Sequence, residues 1–138
     1  MMTNISIVEN KITLARKYLD ILKEYKKYSR TELENDLNIR GAVERYLYLA
    51  TQATIDTCDA FIALKDFRKP MSIREGFEIL GEKKIISPTL QEKMVKIAGF
   101  RNIMAHDYAK IDYGRVYDIV QNKLGDVSEF IMEIKKVL

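Results

Sequence analysis

The residues from Ile39 to Leu64 read IRGAVERYLYLATQATIDTCDAFIAL and indicate the fold class more directly than any other part of the chain. Apolar side chains recur there at spacings of three and four residues, which is the period of an α-helix. Val43, Leu47 and Cys58 belong to one such face, and further apolar residues fill much of the remaining circumference. A helix that is apolar on most sides is central to a bundle or buried in a subunit interface. The stretch therefore predicts a long and largely buried helix.

The same helical period precedes this stretch. Apolar residues repeat every three or four positions from about Asn4 to about Tyr28, which predicts one amphipathic helix. Thr31 follows as a predicted N-cap, with Glu34 three residues later in the position of a capping box. This pair opens either a short helix or the first turn of the central helix.

Further helices are predicted after residue 64 from their start signals. Ser72 is the predicted N-cap of a short helix, Ser87 and Pro88 begin the next one, and Asp112 begins the last. No alternating strand pattern, repeat or linker competes with this interpretation. The sequence predicts a single all-α domain over residues 1–138, arranged as an up-down bundle of about five helices.

Composition and charge narrow the class of protein. A chain of 138 residues is the size of one ordinary domain, and 47% hydrophobic residues are enough to build a core. No apolar run approaches the roughly 20 residues that span a bilayer, and no signal peptide is evident, so we expect a cytoplasmic protein without a membrane segment. The net charge of +3 is too small to indicate nucleic-acid binding by itself. Cys58, the single cysteine, is predicted to be a small core residue.

The string RNIMAHDY at residues 101–108 contains the only histidine of the chain, His106. Arg101 supplies a fixed cation whose donors match phosphate oxygens, and His106 can give or take a proton near neutral pH. Tyr108 can donate a hydrogen bond, stack on a base or be chemically modified. Together these groups can handle a phosphodiester without a metal, and the scattered carboxylates offer no convincing ligand set. We therefore expect neither a metal nor a cofactor.

The spacing of the two predicted catalytic residues raises a geometric problem. Arg101 and His106 are five apart, so on a continuous α-helix they would point roughly 140° away from each other. Either the helix loosens after about Met104, or the site is assembled across two subunits. RNA cleavage without a metal needs one base and one acid, and a symmetric dimer would supply two copies of His106. The chemistry therefore favours a homodimer.

A purely structural interpretation of the same residues stays open. A lone histidine at a helix C-terminus often stabilises the helix end through its interaction with the dipole. Arg101 could be an ordinary surface or ion-pair residue. The Arg-x4-His-x-Tyr string is also short enough to occur by chance, so spacing alone does not establish a site.

Two features of the chain together resemble the HEPN superfamily, and specifically its HepT-like branch. One is the Arg-x4-His-x-Tyr motif at the end of the penultimate helix, and the other is NIRGAVERYL at residues 38–47, followed by ATID at residues 53–56. The resemblance covers most of the chain, from about Asn4 to Leu138. It implies a HEPN-like helical bundle that acts as the ribonuclease toxin of a type VII toxin–antitoxin pair, with the motifs lining a cleft at a dimer interface.

The resemblance also implies a role for each residue of the motif. Arg101 and His106 become the catalytic pair of an endoribonuclease that acts on RNA. Tyr108 becomes the residue that a nucleotidyltransferase antitoxin of the MntA type modifies with AMP. An AMP group adds bulk and negative charge beside a cleft that must accept RNA phosphate, so this AMPylation would block and repel the substrate.

Asn102 and Asp56 are possible supporting residues. Asn102 could hold phosphate or fix the end of its helix. Asp56 lies on a mostly apolar helix, where we expect a buried, hydrogen-bonded polar group that could also support the site. Asp107 is expected to be solvated or an ion-pair partner of Arg101, because a negative charge is unfavourable in an RNA cleft.

Three functions are compatible with these observations. The first is the endoribonuclease toxin, and the second is a non-catalytic helical module that binds a nucleotidyltransferase partner. The third is a plain dimeric helical scaffold. The presence of Arg101, His106 and Tyr108 together favours the first, because a docking surface has no need for all three.

Overall fold

The computed structural model describes residues 4–106 and 108–138, with the exception of the Tyr108 side chain, and within these ranges the chain contains helices and no strand. The all-α prediction is confirmed. The α-helices are α1 (Asn4–Lys23), α2 (Arg30–Asn35), α3 (Leu37–Leu64), α4 (Ile73–Glu82), α5 (Pro88–His106), α6 (Tyr113–Asp118) and α7 (Leu124–Lys136).

The three predicted helix starts after residue 64 are confirmed. Ser72, Ser87 and Asp112 each accept hydrogen bonds from backbone N–H groups two or three residues later. These bonds satisfy donors that a helix N-terminus would otherwise leave unpaired. Short side chains with an oxygen therefore fix where α4, α5 and α6 begin.

The segment between α1 and α3 differs from the prediction in two ways. α1 ends at Lys23 and continues only as a 3₁₀ turn over Glu24–Lys27, so the α-helix does not reach Tyr28. The N-cap of α2 is Ser29, and Thr31 lies inside the first turn. Of the two alternatives for this region, the short separate helix is the one that forms.

A reciprocal pair of hydrogen bonds explains the position of this cap. The Ser29 hydroxyl accepts from the Glu32 N–H at 3.1 Å, and the Glu32 carboxylate accepts from the Ser29 N–H at 3.1 Å. Asp36 then caps α3 by accepting from two backbone N–H groups at 2.9 and 3.2 Å. Each helix of this region thus has its own start signal, which separates α2 from α3.

α3 is the central helix of the bundle, as predicted. It contacts α1, α2, α4, α5 and α7. Cys58 is 2% exposed, which confirms it as a core residue. No described helix is both long and apolar enough to cross a membrane. The buried residues of α3 are Val43, Leu47, Ala50, Thr51, Ala53, Thr54, Ile55, Thr57, Cys58, Phe61 and Ile62.

The predicted last helix is a continuous run of three helical segments. A π-helical segment, Ile119–Lys123, joins α6 to α7. Counting this run once, the described part of the chain has five longer helices and the short α2, in agreement with the predicted bundle. α5 packs against α3, α4 and α7, so its C-terminal end is held beside the first half of α3.

Candidate active site

α5 carries the predicted catalytic residues and remains α-helical through His106. Of the two alternatives for this region, loosening of the helix after about Met104 is therefore not the one that forms. Phe100 and Met104 explain why, because they lie one turn apart and are 3% and 2% exposed. Their burial anchors the last turn of α5 in the core. Arg101 and His106 consequently project from different sides of one helix.

Arg101 is half-buried and held by three contacts. Its Nε donates to Gln52 Oε1 at 2.7 Å, and its Nη1 donates to Asn102 Oδ1 at 2.9 Å. The guanidinium also lies 5.9 Å from the centre of the Tyr48 ring, within the range of a cation–π interaction. Two of these three partners come from α3, so the packing of α3 on α5 orients the guanidinium.

Asp56 reaches this cluster through Gln52. Its carboxylate accepts from Gln52 Nε2 at 2.9 Å and lies 3.8 Å from the ammonium of Lys11 on α1. The side chain is hydrogen-bonded as predicted, but 35% of it is exposed, so the expectation of a buried group is wrong. Lys11 explains the difference, because an ion pair with a partly exposed ammonium keeps the carboxylate at the surface.

His106 lies at the exposed end of α5, beside a cleft of about 370 Å³. The facing wall comes from the first half of α3. Tyr48 belongs to this wall and also contacts the Arg101 guanidinium, so one ring connects the two predicted catalytic residues. The cleft is lined by Gly41, Glu44, Arg45, Tyr48, Met104, Ala105 and His106.

Glu44 ties the wall of the cleft to the start of α6. Its carboxylate accepts from the Tyr113 hydroxyl at 2.5 Å and lies 3.8 Å from the Arg40 guanidinium. Arg40 in turn lies 5.4 Å from the centre of the Tyr113 ring. Burial, together with the hydrogen bond to Glu44 and its negative charge, raises the pKa of Tyr113 to about 12. The phenol therefore stays protonated at neutral pH, and its hydrogen bond to Glu44 connects α6 to α3.

The remaining predicted site residues fall in two groups. Asn102 is exposed and accepts the hydrogen bond from Arg101, so it contacts the predicted site. Asp107 and the Tyr108 side chain lie outside the described residues. Within residues 4–106 and 108–138, no three His, Cys, Asp or Glu side chains converge as a metal site would require.

Sequence reasoning missed Gln52 and Tyr48. Both lie on α3, and Gln52 is 49 residues from the arginine that it contacts. A local signal for Gln52 does exist, because Gln52 and Asp56 are one turn apart on an otherwise apolar stretch. Tyr48 carries no such signal, since its spacing is also that of core residues.

Comparison with known proteins shows the family to which the chain belongs. The family model described as Ribonuclease HepT-like matches residues 15–134. The chain is 30% identical to the tRNA nuclease HepT of Aphanizomenon flos-aquae, over 99% of this chain and 95% of that protein. It is 29% identical to the mRNA nuclease HepT of Shewanella oneidensis, over 76% of this chain and 79% of that protein.

A solved structure shares the fold over nearly the whole length. It is that of a tri-AMPylated HEPN toxin of Shewanella oneidensis in complex with MNT antitoxin. The TM-score is 0.86 at 26% sequence identity, with 98% of this chain and 99% of that chain covered. Because the family model covers most of the chain and a relative matches it almost from end to end, the protein belongs to the Ribonuclease HepT-like family.

Proposed function

We propose that this protein is the toxin of a toxin–antitoxin pair and that it cleaves RNA in the cleft beside His106. The observation that carries this proposal is the position of the Arg101 guanidinium. It is hydrogen-bonded to two side chains and lies on the Tyr48 ring, which also lines the cleft beside His106. The names of its relatives, a tRNA nuclease and an mRNA nuclease, support RNA as the substrate class. The two names give different classes of RNA, so both tRNA and mRNA are substrates in the test below.

The proposed reaction is metal-independent cleavage of a phosphodiester. A base removes the proton of the ribose 2′-hydroxyl, whose oxygen attacks the adjacent phosphorus and forms a cyclic phosphate. An acid gives a proton to the departing 5′-oxygen, so atoms and charges balance. His106 exchanges these protons near neutral pH, and Arg101 stabilises the charge that develops on the phosphate oxygens.

We propose that the active form is a homodimer. One chain supplies a single histidine, whereas the reaction needs both a base and an acid. His106 is exposed at the end of α5, so a second copy of the chain can approach it. Two copies of His106 in one cleft would divide the two proton transfers, and two copies of Arg101 would flank the phosphate.

We propose Tyr108 as the site of control by a nucleotidyltransferase antitoxin. The AMPylated Shewanella oneidensis toxin in complex with MNT antitoxin supports this class of partner and this modification. Tyr108 is two residues beyond His106. AMP attached there would add a negative charge and a bulky group two residues from the proposed catalytic histidine, which opposes the binding of RNA phosphate.

The test is RNA cleavage in EDTA by the wild type, His106→Ala and Lys135→Ala, with tRNA and mRNA as substrates. Lys135 is the matched control, because it is an exposed cation in the last turn of α7. We expect His106→Ala to lose cleavage while both variants keep the oligomeric state of the wild type. Equal cleavage by His106→Ala would overturn the mechanism. No cleavage of either RNA by the unmodified wild type would favour the module that binds a nucleotidyltransferase without catalysis.

A further inference from the structure

A chain of polar contacts connects three helices beside the cleft and ends at the catalytic arginine. It runs from Lys11 on α1 to Asp56 on α3, then to Gln52, and finally to Arg101 on α5. The two hydrogen bonds on either side of the Gln52 amide measure 2.9 and 2.7 Å. Both are direct hydrogen bonds, with no room for water between Gln52 and either Asp56 or Arg101.

The chemistry of the two ends fixes the orientation of the Gln52 amide. An ionised carboxylate such as that of Asp56 only accepts hydrogen bonds, and a guanidinium N–H such as that of Arg101 only donates. The amide therefore turns its NH₂ group toward Asp56 and its oxygen toward Arg101. Rotating it by half a turn would place oxygen against oxygen and N–H against N–H, which loses both bonds and adds repulsion.

We propose that Gln52 and Asp56 are positioning residues that aim the Arg101 guanidinium at the RNA phosphate. This inference rests on the proposed function. Tyr48 supports the face of the guanidinium, and Gln52 then fixes its rotation over that ring. Gln52 and Asn102 accept from Nε and Nη1, and no hydrogen bond from Nη2 to the described residues is present, so Nη2 can donate to phosphate oxygens.

The exposure of Lys11, Gln52 and Asp56 indicates that they contribute little to the stability of the fold. Gln52 is half-buried, and the side chains of Lys11 and Asp56 are 37% and 35% exposed, so the polar chain lies at the edge of the bundle. Contacts between partly exposed charges contribute little to stability. A substitution in this set of polar contacts is therefore expected to alter the orientation of the Arg101 guanidinium more than the stability of the bundle.

A polarity swap tests the proposal. Gln52→Glu places a second carboxylate against Asp56, so we expect kcat to fall by about tenfold or more, because a misplaced catalytic group is costly. When Gln52→Glu is combined with Asp56→Asn, the amide introduced at position 56 can donate to the new carboxylate, which can still accept from Arg101. The double variant has the same net charge as the wild type. We expect its kcat to return to within about threefold of the wild-type value, with KM changed by less than about twofold in both variants.

The matched control is Gln121→Glu. Gln121 is a half-buried glutamine outside this set of contacts, and its amide donates to the Lys26 carbonyl at 2.8 Å. We expect this variant to cleave RNA like the wild type. The thermal unfolding midpoint of each variant shows whether a low kcat comes from a misoriented Arg101 or from an unfolded protein. A double variant that is folded but as slow as Gln52→Glu would overturn the positioning role.

A second readout does not depend on cleavage. The Nε–H signal of Arg101 in a ¹⁵N NMR spectrum should be protected from exchange with water in the wild type and in the double variant. The signal is identified by its loss in Arg101→Lys, and it should exchange rapidly in Gln52→Leu, which lacks the acceptor. If the wild type does not cleave RNA, the proposed nuclease function fails while this signal still tests positioning. Rapid exchange in the wild type would refute the inference itself.

Discussion

Tyr113 connects the C-terminal part of the chain to α3 through one short hydrogen bond. Its hydroxyl donates to Glu44, which belongs to the wall of the cleft. The pKa of Tyr113 is raised to about 12 in the folded protein, whereas tyrosine in an unfolded chain titrates near about 10. The folded state therefore holds this proton more tightly than the unfolded state.

This difference predicts a loss of stability in alkali. The contribution of Tyr113 is fully present below about pH 10 and is lost as the pH rises toward about 12, because the unfolded chain releases the proton first. Tyr113→Phe should lower the free energy of unfolding by about 1 kcal/mol at neutral pH and flatten this alkaline decline. Urea unfolding between about pH 7 and about pH 12 measures both effects.

Tyr117→Phe is the control for this measurement, because Tyr117 is a half-buried tyrosine one turn further along the same helical run. It should keep the alkaline decline of the wild type. An identical pH dependence in the wild type and in Tyr113→Phe would show that the hydrogen bond to Glu44 does not control this behaviour.

From the sequence alone, only those candidate site residues could be named whose signal is local. The motif singles out Arg101 and His106 because their types and spacing are visible in eight consecutive residues. The contact of Gln52 with Arg101 became identifiable only once α3 was packed on α5, since it joins positions 49 residues apart. The direction of His106 depended on whether the last turn of α5 persists, and burial of Met104 decides that. Neither fact is contained in a local pattern.

At the scale of single helices, α2 shows why local signals can be ambiguous. The sequence SRTELE at residues 29–34 contains two overlapping capping boxes, because both Ser29 and Thr31 have a glutamate three residues later. Only Ser29 has the extended backbone of an N-cap, with φ of −74° and ψ of 166°. The local signals for Ser29 and Thr31 are equivalent, so the choice between them comes from tertiary packing, in which Leu33 of α2 is buried at 1% exposure.

Substitution of the two candidate caps tests this assignment. Ser29→Ala should destabilise the protein by about 1 kcal/mol, because it leaves the Glu32 N–H in the first turn of α2 without its acceptor. Thr31→Ala should change stability by less than about half that amount, since Ala is favourable inside a helix. Urea denaturation of the two variants measures the difference, and a larger effect at Thr31 would reverse the assignment.

At the scale of the whole molecule, the arrangement of helices follows from the pattern of apolar residues. The stretch from residue 39 to residue 64 predicted a largely buried helix, and α3 contacts α1, α2, α4, α5 and α7 and is hydrogen-bonded to α6. Apolar residues cover most of its circumference, which is the pattern of a helix that is central to a bundle. The π-helical segment between α6 and α7 could not be predicted, because its residues fit an α-helix equally well.

The proposed homodimer makes a prediction about unfolding of the whole molecule. If folding is coupled to association, thermal unfolding should be a single transition whose midpoint rises with protein concentration. Light scattering on the same samples should give twice the mass of one chain. His106→Ala should behave in the same way, because it removes a proposed catalytic group and no core contact. A midpoint independent of concentration, with the mass of a monomer, would contradict the dimer.

The persistence of α5 through His106 has a consequence for timing. Arg101 and His106 sit on one uninterrupted helix, so about 7.5 Å of axial rise separates them and no hinge lies between them. Within one chain, this pair has its final spacing from the moment the bundle has folded. A newly made copy therefore needs no maturation step to bring the two side chains into register. An inhibitor of the proposed nuclease cannot act by changing the spacing of this pair, so we expect it to block the cleft, to repel RNA from it or to prevent the association of two copies.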